Sequence, residues 1–137
     1  ALDKDRGMLT RLKQAAKEEG VRFTYQRANI VKMKLKKKYD VIVAAVSLHF
    51  LKPAEIGKAI ATMKSHTKRG GLHMITVHTK ANSRLEQKYL FSKNELRNYY
   101  RGWKIHHYRE LWGNPFQMKK SGKFMRRHRA ELLAEKR

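Results

Sequence analysis

Residues 38–79, KYDVIVAAVSLHFLKPAEIGKAIATMKSHTKRGGLHMITVHT, decide the fold of this 137-residue chain. The segment opens with a continuous run rich in β-branched residues at 39–46, which is typical of a strand buried on both faces of a parallel sheet. An apolar stripe at helical spacing predicts a helix over 53–65. Gly70-Gly71 then predicts a turn into a second buried strand at 72–79. A strand, a crossover helix and a parallel strand form a right-handed unit, so the sequence predicts an α/β protein.

Local patterns predict the remaining elements of a single domain over residues 1–137. Apolar residues at i, i+3 and i+4 predict a helix near the start, and Asp3 or Asp5 can cap it. A capping box formed by Ser92 and Glu95 predicts another helix. The basic C-terminal segment, 117–137, has a local preference for helix at its end, although a last strand is the alternative. The other predicted elements are helix 6–18, strand 22–28, helix 94–102, strand 103–111 and a hairpin connection across 113–123.

The charge balance is the strongest signal in the composition. The chain has 33 Lys and Arg residues against 11 Asp and Glu residues, which gives a net charge of +22. Such a field attracts polyanions, chiefly through neutralisation of phosphates. The absence of cysteine excludes disulfides and thiolate metal sites, and no apolar run is long enough for a membrane span. We therefore expect a cytoplasmic or other intracellular protein whose partner is nucleic acid or another polyanion.

Two basic clusters carry the prediction of nucleic-acid binding, and aromatic residues lie between them in sequence. Basic side chains beside aromatic rings suit single-stranded nucleic acid, because phosphates and bases are contacted together. The alternative is that the charges form a solvated surface and that Trp103 and the pair Tyr99-Tyr100 belong to the core. The predicted contact residues are Lys34, Lys36, Lys37 and Lys38 in the first cluster and Lys119, Lys120, Arg126, Arg127 and Arg129 in the second.

The seven histidines do not predict a metal site. His106 and His107 are adjacent and point to opposite faces of a strand, and the spacing of His73 and His78 splits them in the same way. His49 differs, because it follows the strand at 39–46, and a histidine there can act as a base near neutral pH. The alternative for His49 is an ordinary polar residue at a strand end.

Five motifs in order resemble the class I S-adenosylmethionine (SAM) methyltransferases, most of all the tellurite-resistance methyltransferase family. They are ALDKD at the start, YDVIVAAVSLHFL, KRGGLHMI, FSKNELRNYYRGWKIHHYRE and a final basic strand. The resemblance implies a Rossmann-like sheet with strand order 3-2-1-4-5-7-6 and SAM as the cofactor. It also implies that the cofactor lies at the carboxyl ends of the parallel strands.

The resemblance assigns SAM-binding roles to particular residues. Asp3 would hold the ribose hydroxyls, and Lys4 would border the adenine. Asn29, with Ile30, would stand beside the adenine amine. A helix cap is the alternative role for Asp3, and a turn residue is the alternative for Asn29. The methionine end of SAM would be lined by Ala44, Ala45 and Val46.

The family's first strand and its glycine-rich turn have no counterpart in this sequence. The sequence therefore predicts a methyltransferase sheet that is incomplete on its N-terminal side, with a slot between its second and fourth strands. A missing segment, a second chain or a domain swap could fill that slot. We expect a SAM-dependent methyltransferase-type domain, incomplete by itself, that acts on or binds nucleic acid. The alternative is a non-catalytic remnant that binds RNA or DNA, for example within a ribonucleoprotein assembly.

Overall fold

The structure, a computed structural model, divides into two compact units, unit 1 over Ala1–Lys36 and unit 2 over Lys37–Arg137. Among the described residues, no helix is both long and apolar enough to cross a membrane. The described residues are 1–3, 5–22, 24–28, 30–82, 89–118 and 121–137.

Unit 1 holds one helix and a pair of short parallel strands. Strand β1 (Leu2–Asp3) pairs with β2 (Gln26–Arg27), and helix α1 (Arg6–Glu18) lies between them in sequence. Asp5 is the N-cap of α1, because its carboxylate accepts hydrogen bonds from the first turn of the helix. The helix has the predicted bounds. The strand predicted at 22–28 is shorter than expected, since among its described residues only Gln26 and Arg27 pair with β1.

Unit 2 is built on a four-stranded sheet and a separate hairpin. The sheet has the order β3-β4-β8-β5, in which β3 and β4 are parallel and β8 is antiparallel to both of its neighbours. The hairpin pairs β6 with β7. The strands and helices of unit 2 are β3 (Tyr39–Ala45), α2 (Pro53–Ser65), β4 (Thr67–His78), α3 (Glu95–Tyr99), β5 (Lys104–Trp112), β6 (Phe116–Gln117), β7 (Phe124–Met125) and β8 (His128–Glu135).

The strand order confirms the Rossmann-like fold class. The expected order of the family is 3-2-1-4-5-7-6. The order β3-β4-β8-β5 in unit 2 corresponds to its part 4-5-7-6, and the pair β2-β1 in unit 1 corresponds to its part 3-2. No described strand pairs with the outer edge of β3. The C-terminal tail is a strand rather than a helix, because β8 is hydrogen-bonded between β4 and β5 and these pairings outweigh its local preference.

The two faces of the sheet differ in burial. On one face, Ile75 and Val77 of β4 are buried, as is the apolar stripe of α2, and these residues form the core of unit 2. On the other face, Val41, Val43 and Met74 are 48%, 61% and 50% exposed. Such a continuous apolar strand normally has both faces covered. Among the described residues, one face of β3 is therefore uncovered, although the sequence predicts a strand buried on both faces.

Strand β4 begins five residues earlier than predicted, because Gly70 and Gly71 lie within it. The register changes from Tyr39 opposite Thr67 to Val41 opposite Leu72, so β4 bulges at the glycines. Gly70 has a φ of +72°, which favours glycine. A Cβ on Gly71 would lie 2.7 Å from the Thr67 Cγ2. The glycine pair therefore shapes a bulge instead of a turn before the strand.

Candidate functional site

Asp3 ends β1 with a half-buried carboxylate. Its Oδ1 accepts a hydrogen bond from the Asp5 backbone N–H at 2.8 Å, and no described residue donates to its Oδ2. Because Asp5 caps α1, the alternative role of Asp3 as the helix cap is not observed. One carboxylate oxygen of Asp3 thus remains available to a ligand.

The other predicted cofactor residues fall into three groups. Lys4 and Asn29 lie outside the described residues. Ile30, in unit 1, is half-buried in a turn. Ala44 and Ala45, in unit 2, are the last two residues of β3; Ala44 is buried and Ala45 is exposed.

Val46, which follows β3, has a φ of +52°. A β-branched residue in this left-handed conformation is a strained outlier, and such strain often accompanies functional sites. The turn redirects the chain at the carboxyl end of β3, where ligands bind in doubly wound sheets. The carboxyl end of β3 is therefore the best candidate for a ligand-binding edge in unit 2.

His49 lies directly after this turn and is fully buried. It belongs to a single 3₁₀ turn, Leu48–Phe50, and its ring stacks on His78 with centroids 4.4 Å apart. Neither ring nitrogen of His49 has a hydrogen-bond partner among the described residues. Burial, with smaller effects from His78 and Arg127, lowers the pKa of His49 to about 4. The ring is therefore neutral at physiological pH, and its role as a base stays a prediction.

An open pocket of about 260 Å³ lies at the carboxyl ends of β3 and β4. Val46, which directly follows β3, lines the pocket together with Thr76 and His78 of β4. The β6–β7 hairpin and the residues flanking it complete the wall. Those residues are Gly113, Asn114, Phe116, Arg127 and Arg129.

The charges around this pocket are predominantly positive. The guanidinium of Arg127 lies 4.8 Å from the centroid of the Phe116 ring and forms no ion pair with a described residue. Arg129 Nε lies 2.5 Å from Glu131 Oε1, and Arg109 Nε donates to Glu131 Oε2 at 2.7 Å. Burial raises the pKa of Glu131, but the two arginines outweigh that effect and lower it overall. Two arginines thus share one carboxylate, while Arg127 has no carboxylate partner in the described part of the chain.

The first basic cluster is exposed to solvent. Lys34, Lys36, Lys37 and Lys38 are exposed, whereas the intervening Met33 and Leu35 are half-buried. In the second cluster, Arg126 donates to the Gly113 carbonyl at 3.0 Å, and Lys119 and Lys120 lie outside the described residues. Nucleic-acid binding by either cluster stays a prediction.

A buried polar network, here called the His73 network, lies elsewhere in unit 2. His73, Tyr100 and Thr67 are fully buried, and the His73 ring nitrogens lie 2.7 Å from the Tyr100 hydroxyl and 2.7 Å from Thr67 Oγ1. The Tyr100 ring also meets Trp103 edge-on, with centroids 5.4 Å apart. Tyr100 therefore belongs to the core, as the alternative interpretation of the aromatic residues proposed.

Sequence analysis missed His78, Thr76 and Asn114 as pocket residues. The hairpin across 113–123 was predicted, but its position over β4 depends on tertiary packing. The one available signal was His78 at the end of a predicted strand. That signal is weak, because a polar residue at a strand end does not by itself indicate a functional site.

Comparison with known proteins agrees with this geometry. The probable SAM-dependent methyltransferase TehB of Haemophilus influenzae is 26% identical over 137 residues, which cover 98% of this chain and 48% of the relative. The crystal structure of TehB from Haemophilus influenzae matches with a TM-score of 0.88 and 25% identity, covering 99% of this chain and 49% of that one. The chain thus spans about half the length of these relatives.

A more distant structure supports the fold alone. A SAM-dependent methyltransferase from Clostridium acetobutylicum matches with a TM-score of 0.75 and 12% identity, over 99% of this chain and 74% of that one. The family model described as tellurite resistance protein TehB matches residues 1–133. The predicted resemblance is therefore confirmed, and the chain belongs to the TehB tellurite resistance protein family.

Proposed function

We propose that this chain takes part in SAM-dependent methyl transfer. The observation that carries the proposal is the TehB family match over residues 1–133, together with the 4-5-7-6 strand order of unit 2. Curated relatives are named as probable SAM-dependent methyltransferases. In sheets of this kind the ligand lies at the carboxyl ends of the parallel strands.

Two separate elements of the chain fit SAM. The carboxylate of Asp3 suits the ribose diol, because one of its oxygens has no donor among the described residues. Ala44 and Ala45 have small side chains, which let a ligand approach the backbone at the end of β3. When bound, SAM supplies an electrophilic methyl group, and the task of these residues is to bind and orient it.

Titration calorimetry with SAM tests this assignment. We expect Asp3→Asn to weaken SAM binding about tenfold, because charge-assisted hydrogen bonds to the ribose are lost. Asp5→Asn is the matched control, since it removes the same charge two residues away and asparagine still caps a helix. Equal weakening by both variants would refute the role of Asp3, and absence of SAM binding by the wild-type chain would show that the chain alone does not form the SAM site.

The outer edge of β3 bears on how such a site is completed. We propose that a further strand pairs with β3, supplied by the remaining half of a TehB-length protein, by a second chain or by a domain swap. The outer edge of β3 supports this proposal, because no described strand pairs with it and an unpaired edge favours an added strand. The exposed side chains of Val41, Val43 and Met74 lie on the face of the sheet and favour a further element that packs over it.

Hydrogen exchange tests the state of this edge. In the chain alone, the amides of β3 should exchange faster than those of β4, which is paired on both sides. Protection of β3 that rises with protein concentration would identify a second copy as the partner. Equal protection of both strands at every concentration would contradict a free edge.

Nucleic-acid binding is a second candidate function, favoured by the exposed lysines of the first basic cluster. Fluorescence anisotropy with a short oligouridylate at several salt concentrations measures it. Replacing Lys34, Lys36 and Lys38 with glutamine should reduce the slope of log Kd against log salt by about 2, since each phosphate contact contributes about 0.7. The control replaces three exposed lysines elsewhere, Lys13, Lys17 and Lys58. Equal effects of both triple variants would argue against a dedicated surface.

A further inference from the structure

We propose that the pocket at the carboxyl ends of β3 and β4 binds a small organic acid, with its carboxylate held by Arg127 and Arg129 and its apolar body against Phe116 and Val46. The claim that this ligand accepts the methyl group rests on the proposed function. The claim that it binds in the pocket can be tested without SAM.

The positive charge of the pocket selects an anion. Arg127 has no carboxylate partner among the described residues, so its charge is uncompensated. Arg129 Nε lies 2.5 Å from Glu131 Oε1 but forms no hydrogen bond among the described residues, and its Nη1 lies on the side of Gly113, another pocket residue. Guanidinium groups bind carboxylates through parallel N–H donors, which favours a planar carboxylate.

The size and lining of the pocket select an organic ligand over a bare inorganic anion. A water molecule occupies about 30 Å³, so a pocket of about 260 Å³ has room for a body of several heavy atoms. Val46 and Phe116 are 37% and 36% exposed, and both line the pocket. An apolar body that covers them would remove their surface from water, which favours binding.

The position of the pocket connects it with methyl transfer. Val46 immediately follows Ala44 and Ala45, the strand end proposed to contact SAM, and Val46 lines the pocket. Phe116, from the β6–β7 hairpin of the same unit, lines it as well. An acid bound there would lie next to the end of β3, where a methyl group is expected.

Binding of benzoate to the full chain, measured by calorimetry without SAM, tests the proposal. Benzoate carries a carboxylate on a planar apolar body, and benzamide is its neutral counterpart. We expect benzamide to bind about tenfold more weakly than benzoate, and Arg127→Gln to weaken benzoate about tenfold. Lys123→Gln is the matched control, because it removes one exposed charge from the same hairpin outside the pocket. It should leave the benzoate Kd unchanged.

Three results would overturn the proposal: no benzoate binding, equal effects of the two variants, or sulfate binding as tightly as benzoate. Arg127 is exposed, so its replacement should not disturb folding, and circular dichroism of both variants checks this. Failure here is distinct from failure of the methyltransferase proposal. If the chain binds SAM but not benzoate, only the proposal of an acid pocket fails. If it binds benzoate but not SAM, the acid pocket is supported and the assignment of the SAM site fails.

Discussion

The hydroxyl group of Tyr100 offers a direct test of the His73 network. Thr67 Oγ1 donates its hydrogen to the Met63 carbonyl at 2.7 Å, so toward His73 it can only accept. The proton of the His73 ring must therefore be on Nε2, which donates to Thr67. Nδ1 is then an acceptor, and the Tyr100 hydroxyl donates to it. We expect Tyr100→Phe to leave this buried acceptor without a donor.

The size of the effect follows from what the substitution removes. Phenylalanine keeps the aromatic ring and its edge-on contacts with His73 and Trp103, so only the hydrogen bond is lost. A buried acceptor left unsatisfied costs about 1–3 kcal/mol. For a unit of this size that corresponds to a decrease in Tm of roughly 5–15 °C.

Urea unfolding followed by tryptophan fluorescence measures this loss, because Trp103 lies beside the network. The matched control is Tyr99→Phe, which deletes a hydroxyl with no hydrogen-bond partner among the described residues from the neighbouring position. Its unfolding free energy should change by less than about 0.5 kcal/mol. If the two variants unfold at the same midpoint, the deduced tautomer and the energetic role of the network are both wrong.

Three further predictions concern the pH dependence of stability, the β4 bulge at Gly70-Gly71 and the exposed face of β3. Burial lowers the pKa of both His49 and His73 from 6.5 to about 4, so the unfolded chain binds more protons than the folded one between these values. Stability should therefore fall as the pH drops from 6.5 towards 4, by up to about 3 kcal/mol per histidine, and constant urea midpoints across this range would contradict it. Gly71→Ala should cost about 1–3 kcal/mol, because the new Cβ would lie 2.7 Å from Thr67 Cγ2 and within 3.0 Å of two backbone oxygens; an unchanged calorimetric Tm would exclude this clash. Val43→Lys should change the unfolding free energy by less than about 0.5 kcal/mol, since the side chain is 61% exposed, and should reduce self-association measured by light scattering. A strongly destabilised lysine variant would mean that Val43 is packed in solution.

Local sequence signals predicted the elements whose ends are fixed by neighbouring residues. The bounds of α1 follow from the cap at Asp5, and those of α2 follow from Pro53 and its apolar stripe. The continuous apolar run gave β3 to within one residue. These elements are set by periodicity and capping, which act over a few residues and can be read from the sequence.

Distant partners decided what the sequence could not show. The tail at His128–Glu135 is a strand because two neighbours far away in sequence pair with it. His49 could be placed after β3, but its burial depends on His78, which is 29 positions later. The pocket likewise depends on the hairpin lying over the end of β4. Such contacts are tertiary, and no local pattern specifies them.

Because β8 lies between β4 and β5, the sheet of unit 2 has its latest-synthesised strand in an interior position. During translation β4 emerges from the ribosome after its parallel neighbour β3 and can pair with it, but β5 has no described neighbour in the sheet until residues 128–135 follow. During that interval the unpaired edges of β4 and β5 are prone to aggregation, and we expect chaperones to bind the nascent chain most strongly then. A ribosome stalled before residue 128 would thus carry an incomplete sheet in which β5 is unpaired, and cotranslational folding of the whole sheet should appear only after β8 has emerged.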